Sequence, residues 1–253
     1  MGKKGIKIIG VILAYNCASM LPRAIERIPK GVLDDLIVMD DGSKDETAKV
    51  AKKLGIKVFS HFPNRGYGGN LKEGLKKAVE MNADYVVEIH GDGAQFNPIA
   101  IHAALPHMKE GAQLILGSRF QEPKKALKNG MPLIRFIANR FLSFFDRLIL
   151  KLPLTEFHTG FRIYGRELLE KVPYEHNSDD YLFSFEIIAQ AAYYKMPVRE
   201  VEVEADYKSE HTSHSINGAT VYAIKTFLIL GQFLLAKSEI YSSKIFNKNL
   251  IKK

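Results

Sequence analysis

Cysteine is nearly absent. Cys17 is the only one, so no disulfide can form within the chain and nothing calls for an oxidising compartment; a reducing cytosol is the expectation. Long apolar runs are missing too. No window reaches the ~18 uninterrupted apolar residues of a membrane-spanning helix. Thr220 to Ala236 comes nearest and is broken by Lys225, Thr226 and Gln232. The opening MGKKGIKIIGVILAYNCAS superficially matches a secretory signal, but Lys7 interrupts the run and Tyr15-Asn16-Cys17 is a poor cleavage site. What remains, Ile8 to Ala14, has the length and β-branched content of a buried strand. Acids fall short of bases, 28 against 36, and the net charge of +8 favours anionic partners such as phosphates, nucleic acid or lipid headgroups. Internal repeats and low-complexity tracts are lacking. A chain of 253 residues that is 46% hydrophobic and 25% charged has enough apolar side chains for a substantial core, which excludes disorder.

Strand and helix patterns alternate along the first half. Strands are expected at Ile6 to Ala14, Leu36 to Met39, Ile56 to Ser60, Tyr85 to Ile89 and Gln113 to Gly117. Helices are expected at Ser19 to Ile28, Asp45 to Leu54, Asn70 to Met81 and Pro98 to Lys109. Such alternation implies a mostly parallel sheet with helices on its faces, whose ligands sit beyond the carboxyl ends of the strands. After Phe120 the character changes. Gln121 to Pro132 reads as a lysine-rich loop, Met131 to Leu152 as a basic amphipathic helix, Leu182 to Tyr194 as a buried helix, Val198 to Val203 as a strand, and Lys208 to Asn217 as a polar loop.

The strand ends carry the chemistry. Asp40-Asp41-Gly42-Ser43 suits a turn and a helix cap, and its adjacent carboxylates also suit a ribose hydroxyl or base N–H. His90-Gly91-Asp92-Gly93-Ala94-Gln95 offers a carboxylate, an imidazole and an amide oxygen to Mn²⁺ or Mg²⁺. Asn64-Arg65-Gly66-Tyr67-Gly68-Gly69-Asn70 could present backbone N–H groups to a phosphate at a helix start. It lacks the Gly-Lys-Ser/Thr ending of a Walker loop. The first strand-to-helix turn, Ala14-Tyr15-Asn16-Cys17, has no glycine, which argues against a nicotinamide dehydrogenase.

Taken in order, these motifs resemble the family 2 glycosyltransferases of the GT-A fold, and among them the polyprenyl-phosphate sugar synthases of dolichyl-phosphate mannose synthase type. The resemblance spans about residues 6 to 230. It rests on Ala14-Tyr15-Asn16, Asp40 to Ser43, Asn64 to Gly74, Gly91 to Pro98, Gly117-Ser118-Arg119, Thr159 to Tyr164 and the serine-rich stretch Ser213 to Asn217. Three positions depart from the pattern. Cys17 stands where many members carry Glu, His90 replaces the first Asp of the Asp-x-Asp metal motif, and Ala94 moves Gln95 one residue away from Asp92.

The resemblance implies an α/β, Rossmann-like domain over residues 1–236, with a nucleotide-sugar half at 1–120 and an acceptor half at 121–218, followed by a basic amphipathic tail at 219–253. It implies a GDP- or UDP-linked sugar donor bound by Ala14, Tyr15, Asn16, Asp40, Asp41, Gly69, Asp92, Lys208 and His214, with Mg²⁺ or Mn²⁺ on Asp92, His90 and Gln95. Asp92, Arg119 and Arg162 are the implied catalytic residues, and Arg119, Arg135 and Ser213 would hold an acceptor phosphate. A polyprenyl phosphate acceptor keeps the enzyme peripheral at the cytoplasmic face of a membrane, which accounts for the 131–152 helix and the lysines 244, 248, 252 and 253.

Other readings stay open: a family 2 transferase with a glycan or other soluble acceptor, a sugar-phosphate nucleotidyltransferase, or a nucleic-acid-binding module. The nucleotidyltransferase would place a Gly-rich basic loop straight after the first strand, which Ala14 to Pro22 does not. The nucleic-acid module would interleave its basic residues with aromatics in a stripe, whereas here they gather near 131–152 and the C-terminus, so no nucleic acid is expected.

Overall fold

The computed structural model describes residues 5–93, 98–204, 216–247 and 250. Its strands are β1 (Ile8–Ala14), β2 (Asp35–Asp40), β3 (Lys57–Ser60), β4 (Tyr85–His90), β5 (Leu114–Ser118), β6 (Arg162–Gly165) and β7 (Val198–Glu202). The helices are α1 (Leu21–Glu26), α2 (Thr47–Lys53), α3 (Gly66–Glu80), α4 (Ala100–Lys109), α5 (Pro123–Lys128), α6 (Leu133–Leu150), α7 (Arg166–Lys171), α8 (Phe183–Tyr193) and α9 (Ile216–Lys237). One sheet runs β3-β2-β1-β4-β6-β5-β7. All its neighbours pair in parallel except β6, which lies antiparallel to both β4 and β5.

Period-2 alternation in apolar strands divides the interior into two cores, because successive side chains leave a strand on opposite faces. In β1, Ile9 and Val11 join a core with α3, α7 and α8, while Ile8 and Ile12 join one with α1 and α4 on the other face. Helix α3 seats tightly because Gly74 lacks a side chain; a Cβ there would stand 2.6 Å from Val11 Cγ1.

Several elements differ from expectation. Within the expected loop 121–132, α5 forms with Pro123 in its first turn, where the missing N–H costs nothing, and Ala126 and Met131 bury against Phe120. Helix α3 begins at Gly66, so the Gly-rich turn is itself helical. Over its described residues the expected helical tail at 219–253 packs on the domain. Helix α9 buries Ile229, Leu230, Phe233 and Ala236, and the chain then folds back to bury Phe246 completely against Tyr193 and Phe233. By length and composition the stretch Gly218–Lys237 is apolar enough to cross a membrane; one side of it packs in the core and the rest is exposed.

Candidate active site

The site is set by strand register. Ala14 pairs with Asp40 on one side of β1, and Leu13 pairs with His90 on the other. Parallel strands therefore bring the ends of β2, β1 and β4 into one row, at the point where the strand order reverses and a crevice opens. Two strand spacings separate β2 from β4, about 10 Å.

The loops after β1 and β2 brace each other. Asn16, at a left-handed φ of 47°, donates its N–H to Ser43 Oγ at 2.9 Å, and its Oδ1 accepts from Lys44 N at 2.8 Å. Ala14 is buried and its carbonyl accepts Asp41 N, leaving Tyr15 at the rim with 48% of its surface exposed. Asp40 accepts Ser43 N at 3.3 Å. Asp41 Oδ1 accepts Arg65 N at 2.7 Å and meets His61 Nε2 at 2.6 Å; among the described residues Oδ2 has no such bond. Asp41 is thus a buried carboxylate with one oxygen spoken for.

Asp92 stands on a tightly held turn. Gly91 N donates to Leu13 O at 2.8 Å, Gly93 N to His90 O at 3.1 Å, and Arg27 Nη1 to Gly93 O at 2.9 Å. Only glycine fits at position 91, since a Cβ would lie 2.9 Å from both Cys17 Sγ and Leu13 O. Burial pushes the Cys17 thiol up to about 11, so it fills space under the turn as a neutral group.

The expected metal ligands divide. Asp92, part-exposed on its turn, suits a hard cation carried on a diphosphate, because such cations keep water and substrate phosphates and need only one or two carboxylates. His90 turns one ring nitrogen inward. Its Nε2 faces Glu88 Oε1 at 3.2 Å, out of line for a hydrogen bond. Burial alone would lower its pKa, but Glu88 and Asp92 outweigh that and raise it. Gln95 lies outside the described residues, and among those described no three His, Cys, Asp or Glu side chains gather as a metal site.

Beneath this turn lies a buried cluster that takes in the expected Arg162 and centres on Glu88, which sequence reasoning missed. Glu88 accepts from Tyr67 OH and, at 2.7 Å, from Tyr164 OH. Burial pushes its carboxyl up, yet His90, Arg162 and Tyr67 outweigh this and hold it below the ordinary range. Arg162 is buried beside it with an unpartnered Nε. Although burial opposes its charge, Tyr67 and Glu88 hold its pKa above the ordinary value. The available signal was Glu88 itself, an acid inside the apolar strand YVVEIH that burial obliges to find partners.

Other expected site residues are placed elsewhere or otherwise engaged. Gly68 N and Gly69 N both donate to Asp179 O, at 2.8 and 3.3 Å, so the loop before α8 occupies the place a phosphate was expected to take. Arg119 is no open phosphate clamp: its guanidinium is buried in an ion pair with Glu156, itself fully buried. Arg135 lies half-buried near the start of α6. Lys208, Ser213 and His214 fall outside the described residues.

Helices α6 and α9 are joined beside the site. His158 Nε2 lies 2.9 Å from Asp146 Oδ2 on α6 and its Nδ1 3.3 Å from Tyr222 OH on α9, while Phe145 meets Phe227 edge-on at 5.8 Å. Their outer faces expose Ile134, Phe141, Phe144, Ile224 and Leu228.

A parallel sheet interrupted by one antiparallel strand, with acidic turns in one row, matches the GT-A fold. The chain belongs to glycosyl transferase family 2, whose profile matches residues 11–173, and it is a glycosyltransferase of the GT-A fold. An uncharacterized protein of Methanocaldococcus jannaschii is 32% identical over 88% of this chain and 91% of its own length. The UDP-N-acetylglucosamine–dolichyl-phosphate N-acetylglucosaminyltransferase of Methanococcus voltae is 27% identical over 82% of this chain and 88% of its own. Glucosyl-3-phosphoglycerate synthase from Mycobacterium tuberculosis, solved with Mn²⁺, UDP and phosphoglyceric acid, superposes with a TM-score of 0.66 at 19% identity, covering 94% of this chain and 81% of that one.

Proposed function

We propose that this glycosyltransferase moves a sugar from a GDP- or UDP-linked donor to a polyprenyl phosphate, working peripherally at the cytoplasmic face of a membrane. One line of contacts carries the proposal. His90 stacks on Tyr67 at 5.9 Å, Tyr67 on Tyr181 at 4.8 Å, and the neighbouring Asp180 pairs with Lys225 of α9 at 2.7 Å. The helix with an exposed apolar face therefore stands beside the donor turn, where a lipid-borne acceptor has to arrive. The basic surplus of +8 complements anionic headgroups. The acceptor class named for the Methanococcus voltae relative supports the same choice.

In this scheme the nucleoside lies over Ala14, Tyr15 and Asn16, with Asp40 and Asp41 toward ribose or base. Asp92 would hold a Mg²⁺ or Mn²⁺ ion carried by the diphosphate, and that ion would supply neutralising positive charge. A lipid phosphate has a second pKa near 6 and arrives ionised, so the site needs no general base. An acceptor oxygen forms the bond to the anomeric carbon as the bond to the diphosphate oxygen breaks, which inverts configuration. Arg135 and Ser213 orient the acceptor, and Lys208 and His214 neutralise the departing diphosphate. Arg162 acts from below, balancing Glu88 and so steadying the turn that bears Asp92.

The test is incubation with Mg²⁺ or Mn²⁺, radiolabelled UDP- and GDP-sugars and polyprenyl phosphate, followed by organic extraction. Label should enter the lipid phase and Asp92→Ala should abolish it. Label confined to water-soluble product would favour a soluble acceptor instead.

A further inference from the structure

Tyr181 has no role in the scheme above, yet its position is unusual for a loop residue. It lies just before α8, 49% exposed, in a segment pinned on both sides. Asp179 O takes the N–H groups of Gly68 and Gly69, and Asp180 pairs with Lys225. The ring is stacked on Tyr67 at an interplanar angle of 22°, and Tyr67 on His90 at 30°. Three rings thus form a column rising from the end of β4 to the surface, with Tyr181 at its outer end. Its phenol is raised first by burial and then by the charge of Asp92, which puts Asp92 within electrostatic reach of it. A surface tyrosine serving only solubility would not be braced by two neighbouring residues and a ring beneath it.

We propose that Tyr181 is a specificity-determining residue whose ring forms one wall of the subsite for the transferred pyranose. Resting on the nucleotide-sugar reading above, the inference assigns the part of the donor beyond the diphosphate. A pyranose presents C–H groups on one face and hydroxyls at its edge, and an aromatic face offers the apolar, faintly negative surface that complements the former. The column fixes the ring before the donor arrives, so little side-chain freedom is lost on binding.

The test compares bare nucleoside diphosphates with their sugar conjugates. The intact chain, with Mg²⁺, is titrated calorimetrically with UDP, GDP, UDP-glucose, UDP-N-acetylglucosamine and GDP-mannose. Tyr181→Ala and Tyr181→Leu should each weaken the preferred sugar conjugate by about tenfold while leaving its bare diphosphate within about twofold. Tyr181→Phe should bind like the native chain. Equal weakening of both ligands, no weakening, or full affinity in Tyr181→Leu would overturn the inference while leaving the donor reading intact. Failure of the unaltered chain to bind any of the five would overturn both.

Discussion

Glu156 grips Arg119 twice: Oε2 accepts the main-chain N–H at 2.7 Å, while Oε1 accepts from the guanidinium Nε at 2.8 Å. Both side chains are almost wholly excluded from water. Removing one member leaves the other as a lone buried charge, whereas replacing both with apolar residues removes the desolvation cost as well. Glu156→Ala should therefore lower the unfolding free energy by about 3–5 kcal/mol, and the double variant Arg119→Met, Glu156→Leu should recover only part of it, because the buried main-chain N–H of Arg119 still lacks its acceptor. Urea denaturation of the three chains checks this. A double variant no better than the single would show that the pair is needed for more than mutual neutralisation.

The outer face of α6 makes a prediction that stability cannot mimic. Phe141 and Phe144 are exposed at 56% and 63%, so replacing both with Ser removes no buried core side chain, only their edge contacts with Phe145. At roughly 1.5–3 kcal/mol for each large apolar side chain buried, their loss should weaken binding to anionic phosphatidylglycerol vesicles by more than about tenfold. Vesicle sedimentation measures it, with thermal melting as the control. Undiminished vesicle binding would remove α6 from the membrane contact.

Acid should act through Asp45. Burial pushes its carboxyl up, but hydrogen bonds from the Thr47 hydroxyl and from the N–H groups of Ala18 and Thr47 outweigh it, and its pKa lies below the ordinary aspartate value. A carboxyl with a lowered folded-state pKa contributes stability that is fully present above the unfolded value of about 3.9 and is lost as pH falls through the folded one. Asp45→Asn should thus be less stable than the native chain at about pH 6, with the gap narrowing below about pH 4. Denaturant midpoints across that range test the sign; a gap that widens in acid would refute it.

Elements with a strong period were legible before any coordinates. The run IIGVILA announces β1, and the alternation that follows announces the parallel sheet. By contrast, β6 spans only Arg162–Gly165, too short to show a period, and its antiparallel direction comes from pairing with β4 and β5 rather than from local residues. The row formed by Ala14, Asp40 and His90 follows once the strands are known to be parallel. What the Gly66–Gly69 turn binds does not follow, because Asp179 approaches from more than a hundred positions along the chain and takes the N–H groups that looked open to phosphate. The partners of Glu88 and Glu156 were invisible for the same reason: Glu88, an acid in an apolar strand, signals that it needs partners, but neither acid reveals anything of the distant tyrosines or arginine that supply them.

The lone thiol under the Gly91 turn has a practical use. Being sealed from solvent and reluctant to ionise, Cys17 should ignore maleimides under conditions that label an exposed cysteine. The natural chain is accordingly its own blank background for fluorophores or spin labels. A single cysteine introduced at Phe144 would report depth of immersion in a bilayer, and one at Tyr15 would report donor arrival, without first engineering anything away.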